Sequence, residues 1–315
     1  MDPYNNLYDR AMRAIAGRPI GSVVERTRAI VAPPLKDLEG DAKAGLAALK
    51  VGARPTAEQV AALQAIVRAM RPSALSNAGS VDPLPEPARP VFSEWPDFAR
   101  SIVPYLYTIG RVDRKSQPPL PSEPYGTGFL VSEDLFLTNH HVVTQLSGGT
   151  DVINAGEVEI RFIQEYNDRD EPPVPVEGIC AFHPEEDAVL MRLTPTGELR
   201  KRKRLAWTET PAVEGTHVAV VGYPFPDTSR NPLFMDQIFG NKLGVKRLAP
   251  GELLGARKSS IFHDCSTLGG NSGSPVVDMK SCLVAGLHRD GFFLARNEAV
   301  CTEVLQDFVL TAIRG

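Results

Sequence analysis

The sequence predicts a mainly β domain, a barrel or sandwich of short antiparallel strands, behind a small α-helical N-terminal domain. Six short apolar runs, at 102–109, 126–131, 158–163, 188–193, 217–221 and 282–287, are separated by Gly, Pro, Asn and Asp, the pattern of a many-stranded β fold rather than of βαβ units. Residues 1–72 instead repeat apolar side chains at helical spacing. Between the two patterns, six prolines fall within 25 positions from Pro72 to Pro96.

In the helical region, Tyr4, Leu7, Tyr8, Met12 and Ile15 share one face, with Asp2 and Pro3 as its start. A second helix starts at Thr56, where Thr56 and Gln59 have capping-box spacing, and carries Val60, Leu63, Val67 and Met70 as its apolar stripe until Pro72 stops it. Residues 20–50 supply one or two more helices, broken near Pro33 and Pro34. Residues 73–97 read as a Pro-rich linker. A loop packed along the next domain is an equal alternative, because Val91, Phe92 and Trp95 favour burial. Residues 98–315 hold the strands. In one of them Val158, Ile160 and Phe162 alternate with Glu157, Glu159 and Arg161, as a half-solvated strand requires. A closing amphipathic helix, Glu303 to Ile313, presents Val304, Phe308 and Val309.

The 34 basic and 38 acidic residues are intermixed and leave a net charge of −4, which points to neither a nucleic-acid nor an anionic-membrane partner. No apolar run approaches the roughly 20 residues of a spanning helix. The N-terminus lacks a basic segment followed by an apolar one, so a cytoplasmic protein is expected. Cys180, Cys265, Cys282 and Cys301 show neither CxxC spacing nor a matching histidine set. Buried free thiols are therefore expected, with no metal site and no cofactor.

The strongest chemical signal is Gly269-Gly270-Asn271-Ser272-Gly273-Ser274-Pro275, a serine among glycines that permit a tight loop with successive N–H groups aimed at one point. Upstream lie Leu137-Thr138-Asn139-His140-His141-Val142-Val143 and, at the head of an apolar run, Asp187-Ala188-Val189-Leu190. Asp187 follows His141 by 46 positions and precedes Ser272 by 85. At these motifs, and at Gly126 to Val131 and Val221-Gly222-Tyr223-Pro224, residues 100–312 resemble the trypsin-like serine peptidases. That resemblance implies two six-stranded antiparallel β-barrels with a C-terminal helix.

It also implies a division of labour. Ser272 is the nucleophile, and a serine hydroxyl is weak near neutral pH unless a base, His141, removes its proton. Asp187 orients that imidazole, and the backbone N–H groups of Gly270 and Ser272 form the oxyanion hole. Glu185 and Glu186 are rivals to Asp187, and His140 is the rival to His141. His183, His217 and His263 read as packed or surface histidines. The substrate implied is a protein or peptide.

The residue six before the nucleophile is Ser266 rather than an aspartate, which argues against selection of Arg or Lys. Cys265 to Pro275 with Gly286-Leu287-His288 resembles the glutamyl endopeptidase branch, in which the positions of Thr267 and His288 bind a substrate carboxylate. Glutamate at P1 is the expectation, with a neutral P1 residue above a merely packed His288 as the alternative. In that branch a free N-terminal amine assists, whereas here a helical domain precedes the barrels. Asn271 stands where digestive zymogens carry an aspartate that pairs with a new N-terminal ammonium, so that activation route is not expected. Helical modules joined to such peptidases resemble bacterial conflict and signalling proteins. On that likeness residues 1–72 are a regulatory or partner-binding candidate, and a silent, protease-fold scaffold is the competing reading.

Overall fold

A computed structural model describes residues 6–28, 37–117, 120–163, 165–166, 171–209, 213–292 and 296–314. Four helices come first: α1 (Leu7–Ile15), α2 (Ile20–Thr27), α3 (Leu38–Lys50) and α4 (Ala57–Ala69). The expected helix start at Asp2 and Pro3 and the break at Pro33 and Pro34 lie outside the described residues. In α4 the capping box forms in both directions: Thr56 accepts from the Gln59 N–H, and the Gln59 side chain accepts from the Thr56 N–H. The helix packs against the other three, and Ala62 to Arg68 are buried on every side, a wider burial than one stripe predicts.

Residues 73–97 are packed rather than extended as a linker. β1 (Ala74–Asn77) pairs with a barrel strand through Ala74↔Leu248 and Leu75↔Arg247, and turns back as β2 (Ser80–Val81). Val91, Phe92 and Trp95 are buried, and the Trp95 indole N–H donates to the Asp82 carbonyl at 3.2 Å. Each such apolar side chain removed from water contributes about 1.5–3 kcal/mol, enough to hold a Pro-rich chain against the surface.

Most of the run at 102–109 is helix and not the expected strand: α5 spans Trp95–Leu106, and the strand begins only at Ile109. Trp95, Phe98, Ile102 and Leu106 are its buried residues, spaced by three and four, and Pro96 sits in the first turn where no N–H is needed. The Ile/Val/Tyr content of the run favours a strand, but the longer period from Trp95 decides the conformation.

The first barrel closes in the order β3 (Ile109–Arg114), β4 (Glu123–Leu130), β5 (Leu135–Thr138), β8 (Val189–Leu193), β7 (Val174–Phe182) and β6 (Val158–Arg161), with α6 (His140–Leu146) between β5 and β6 and α7 (Gly197–Lys201) leading to the second barrel. Val112, Leu130, Phe136, Ile160, Val176 and Met191 fill it. The second barrel joins β9 (His217–Gly222), then, after α8 (Pro232–Phe239), β10 (Arg247–Arg257), β11 (Ser260–His263), β14 (Arg296–Cys301), β13 (Val284–Phe292) and β12 (Pro275–Asp278), which returns to β9. Val218, Val220, Leu253, Ile261, Val276 and Ala299 form its centre. α9 (Thr302–Arg314) closes the chain with Leu305 and Val309 buried. All pairings in both barrels are antiparallel.

One apolar cluster runs from Leu7 and Leu63 through Phe92 and Phe98 to Leu248 and Val300, so the helical region shares its core with the barrels. Cys265, Cys282 and Cys301 are buried free thiols, while Cys180 is only half-buried. No described helix is long and apolar enough to cross a membrane.

Candidate active site

β5 delivers its chain to the first turn of α6, and His141 stands there facing Asp187, two residues before β8. Asp187 Oδ2 lies 2.6 Å from His141 Nδ1, and Oδ1 accepts the His141 backbone N–H at 2.9 Å. Asn139, fully buried, donates its side-chain amide to the Asp187 carbonyl at 2.8 Å and fixes the two segments together. Burial pushes the Asp187 carboxyl upward, yet hydrogen bonds and charge from His141, with Arg289 adding to them, hold it below its ordinary range. It is therefore an anion next to the ring.

The rivals have other partners. Glu186 pairs with Arg289 at 2.9 Å, and the Glu185 and Glu186 N–H groups donate to His183 Nδ1 at 3.1 and 2.9 Å, which shapes the turn before Asp187. His140 faces Asp151, 2.8 Å away.

Ser272 occupies the loop between β11 and β12, held from both barrels. Thr127 of β4 donates its N–H to the Ser272 carbonyl at 2.8 Å and its hydroxyl to the Gly270 carbonyl at 2.6 Å, while its Oγ1 accepts the Tyr223 N–H at 3.1 Å. Gly273 donates to the His288 carbonyl at 2.8 Å. Gly270 has φ +88°, and a Cβ there would run into the Tyr223 carbonyl and the Phe225 ring, so glycine is required. The Gly269 carbonyl accepts the Phe225 N–H at 2.7 Å, which directs the Gly270 N–H of the same trans peptide to the opposite side. Among the described residues the N–H groups of Gly270 and Ser272 donate to nothing. Ser272 Oγ rests 3.5 Å from the Arg289 carbonyl and makes no hydrogen bond to His141. Asn271 donates its side-chain amide to the Leu268 carbonyl at 3.4 Å.

Beside Ser272 opens a cavity of about 170 Å³ whose lining includes Arg68, Ser266, Thr267, His288 and Asn297. Ser266 reaches it, but its hydroxyl donates to the Arg71 carbonyl at 2.6 Å and is committed to the helical region. Thr267 donates to Asn297 Oδ1 at 3.0 Å, and Asn297 donates to the Cys265 carbonyl at 2.6 Å. His288 lines the cavity with its ring backed by His263, Nδ1 to Nε2 3.2 Å. Burial, then the neighbouring His263 and His141, push His288 well below the ordinary histidine range, and burial takes His263 down to about 3. Both rings are neutral at pH 7. When His263 Nε2–H donates to His288 Nδ1, the His288 Nε2–H is left as a neutral donor.

Asn297, His263 and Arg68 were not singled out as site residues from sequence. Asn297 and His263 stand on neighbouring strands paired His263↔Asn297, a relation with no local motif. Arg68 comes from α4 and bonds to the Cys265 carbonyl 197 positions further along the chain. No group of three or more His, Cys, Asp or Glu able to hold a metal occurs among the described residues.

An anionic carboxylate gripping an imidazole, and a serine hydroxyl in a loop with two free backbone N–H groups, are the groups that acyl transfer requires. Residues 126–286, just over half of the chain, match the trypsin-like peptidase domain. A protein of Lysobacter enzymogenes named a probable serine protease is 28% identical over 262 residues, covering 69% of this chain and 66% of its own length. A glutamyl endopeptidase of Staphylococcus epidermidis is 26% identical over 199 residues, covering 60% of this chain and 61% of its own. The chain thus spans less than two thirds of the length of either relative. Among solved structures, a serine endoprotease from Yersinia pestis overlays with TM-score 0.49 at 14% identity, covering 69% of this chain and 66% of that one. An active-form protease from M. tuberculosis gives 0.47 at 16%, covering 66% and 82%. With its own residues matching that domain over more than half of its length, the chain belongs to the trypsin-like peptidase family.

Proposed function

We propose that the protein is a serine endopeptidase that cleaves on the C-terminal side of glutamate through an acyl-enzyme on Ser272. The observation that carries this reading is the two-point grip of Asp187 on His141, ring and backbone together, beside a serine flanked by two undonated N–H groups. The grip sets the tautomer: with Nδ1–H given to Asp187, Nε2 is the free base. Ser272 Oγ leaves the Arg289 carbonyl, passes its proton to His141 Nε2 and attacks the scissile carbonyl carbon. The developing oxyanion takes the Gly270 and Ser272 N–H groups, and Asp187 stabilises the imidazolium. His141 then gives the proton to the leaving amine; a water, deprotonated by the same ring, attacks the acyl carbon, and the ring passes that proton to Ser272 Oγ as the new carboxyl terminus leaves.

Glutamate is favoured over Arg or Lys because the pocket wall presents Thr267, a neutral His288 donor and the amide of Asn297, with no buried carboxylate among its described lining residues. Asp227 there is paired with Arg230 at 3.0 Å, and Asp290 accepts from the Gly291 N–H. Likeness to a glutamyl endopeptidase supports the same choice. Incubation of the full chain with a peptide library and sequencing of the products tests it. Cleavage after Glu that Ser272→Ala abolishes is expected; cleavage after basic residues contradicts it.

A second reading has one observation behind it: the Ser272 hydroxyl is turned to Arg289 and not to His141. In that reading the protein is a protease-fold module held silent until something reorients Ser272. Catalytic hydrogen bonds often tighten only when substrate arrives, which favours the first reading.

A further inference from the structure

α4 ends at the wall of the pocket. Its last turn places Arg68 over the loop that precedes Ser272, where Nη1 donates to the Cys265 carbonyl at 2.7 Å and to the Asp264 carbonyl at 3.2 Å. The side chain is nine-tenths buried and lines the cavity next to Ser272.

The charges around it do not balance. Arg10 and Arg71 pair with Asp264 at 2.8 and 3.1 Å, and Arg71 and Arg13 pair with Glu252 at 2.8 and 2.5 Å. Arg68 makes no ion pair among the described residues, and its Nε and Nη2 make no hydrogen bond there. Arg68 is one of the residues that line the pocket. Burial lowers its pKa only to about 10, so the guanidinium is charged at neutral pH. Of the other charges at the pocket, Asp227 pairs with Arg230 and Arg289 with Glu186 and Glu298, while Asp290 lies exposed at the rim and accepts only the Gly291 N–H. A buried cation lacking a counter-ion is costly, and an anionic ligand relieves that cost. His288, neutral against His263, supplies no charge of its own.

We propose that Arg68, supplied by the N-terminal helical region, is a specificity-determining residue that binds the carboxylate of the P1 side chain. The inference rests on the glutamate reading above and gives the helical region a part in substrate recognition. His288 then acts as a neutral donor to the carboxylate, and Arg68 provides the charge that separates Glu from Gln.

The test uses the full chain and peptidyl diphenyl phosphonates that differ only in Glu or Gln at P1, with the rate of Ser272 modification as readout. A small alkyl fluorophosphonate on each variant reports an intact site. Wild type is expected to favour Glu by well over tenfold. Arg68→Met is expected to lower that Glu:Gln ratio by about 10- to 100-fold, the range for loss of a hydrogen bond to a charged group, and Arg68→Lys to retain most of it. If Arg68→Met does not fold, Arg68→Gln, whose amide can still donate to the Asp264 and Cys265 carbonyls, is measured instead. A high wild-type ratio that survives the neutral substitution within threefold overturns the assignment of Arg68 and leaves the glutamate reading standing. A wild-type ratio at or below one removes the glutamate reading, and the Arg68 assignment falls with it.

Discussion

Asp187 holds His141 by two atoms at once, Oδ2 on the ring Nδ1 at 2.6 Å and Oδ1 on the backbone N–H at 2.9 Å. Removing one oxygen's charge while keeping the shape isolates what this grip does. Asp187→Asn puts an amide N–H where an acceptor is needed and stabilises the wrong ring tautomer. Turnover of a P1-Glu peptide is expected to fall by about 10⁴-fold with KM changed far less. A loss below tenfold contradicts the assigned role.

The oxyanion loop gives a second expectation. A methyl group at position 270 meets the Tyr223 carbonyl and the Phe225 ring, at a backbone angle that L-residues rarely adopt. Gly270→Ala must rotate the peptide that the Phe225 N–H now anchors. An activity loss of about 10²–10³-fold is expected, the cost of one lost oxyanion donor, with the far-ultraviolet dichroism spectrum kept. Full activity in this variant would place the donors elsewhere.

The His263–His288 pair makes stability fall with acid. Folded, both rings resist protonation because they are buried, His263 down to about 3, whereas in the unfolded chain a histidine binds a proton near pH 6.5. The unfolded state therefore carries more protons below that pH, and their stabilising contribution, full above about pH 6.5, declines as pH drops toward 3. Each ring contributes up to about 1.4 kcal/mol per pH unit. Urea unfolding between pH 7 and 4.5 should show this slope, reduced in His263→Gln; an unchanged slope in that variant contradicts the buried neutral pair.

Asp264 ties the helical region to the pocket wall. Burial alone would raise its pKa, but Arg71 and Arg10 hold it well below the usual carboxylate range, so its contribution is complete above about pH 4 and is lost on further acidification. Asp264→Asn leaves two buried guanidiniums short of a counter-charge. A loss of about 3–5 kcal/mol in unfolding free energy is expected. For the same reason a fragment that begins near Val91, without Arg10, Arg68 and Arg71, should not melt cooperatively; a fragment as stable as the full chain would show two independent folding units.

The site was legible where its chemistry is local. Ser272 with its glycines, His141 ahead of Val142 and Asp187 ahead of Val189 each sit in a short segment, so their order along the chain points to one centre. What the sequence leaves hidden is tertiary. Arg68 looks like a favourable cation at a helix end, and only packing against Cys265 turns it toward the pocket. His263 gains a meaning only from the strand that brings His288 beside it. Ile102, Val103 and Tyr105 favour extended backbone, so the run from Ile102 to Ile109 looks like a strand, while the residues that set the helical period, Trp95 and Phe98, lie upstream of that run. The Pro-rich stretch in turn is ordered by strand pairing with Leu248, a partner over 170 positions on.

Intact-mass spectrometry after treatment of the full chain with a fluorophosphonate is the most direct measurement. A single adduct on Ser272, absent in Ser272→Ala and formed far more slowly in Asp187→Asn, is the expected result. An unmodified Ser272 at reagent concentrations that label other serine peptidases would contradict an active acyl-enzyme centre.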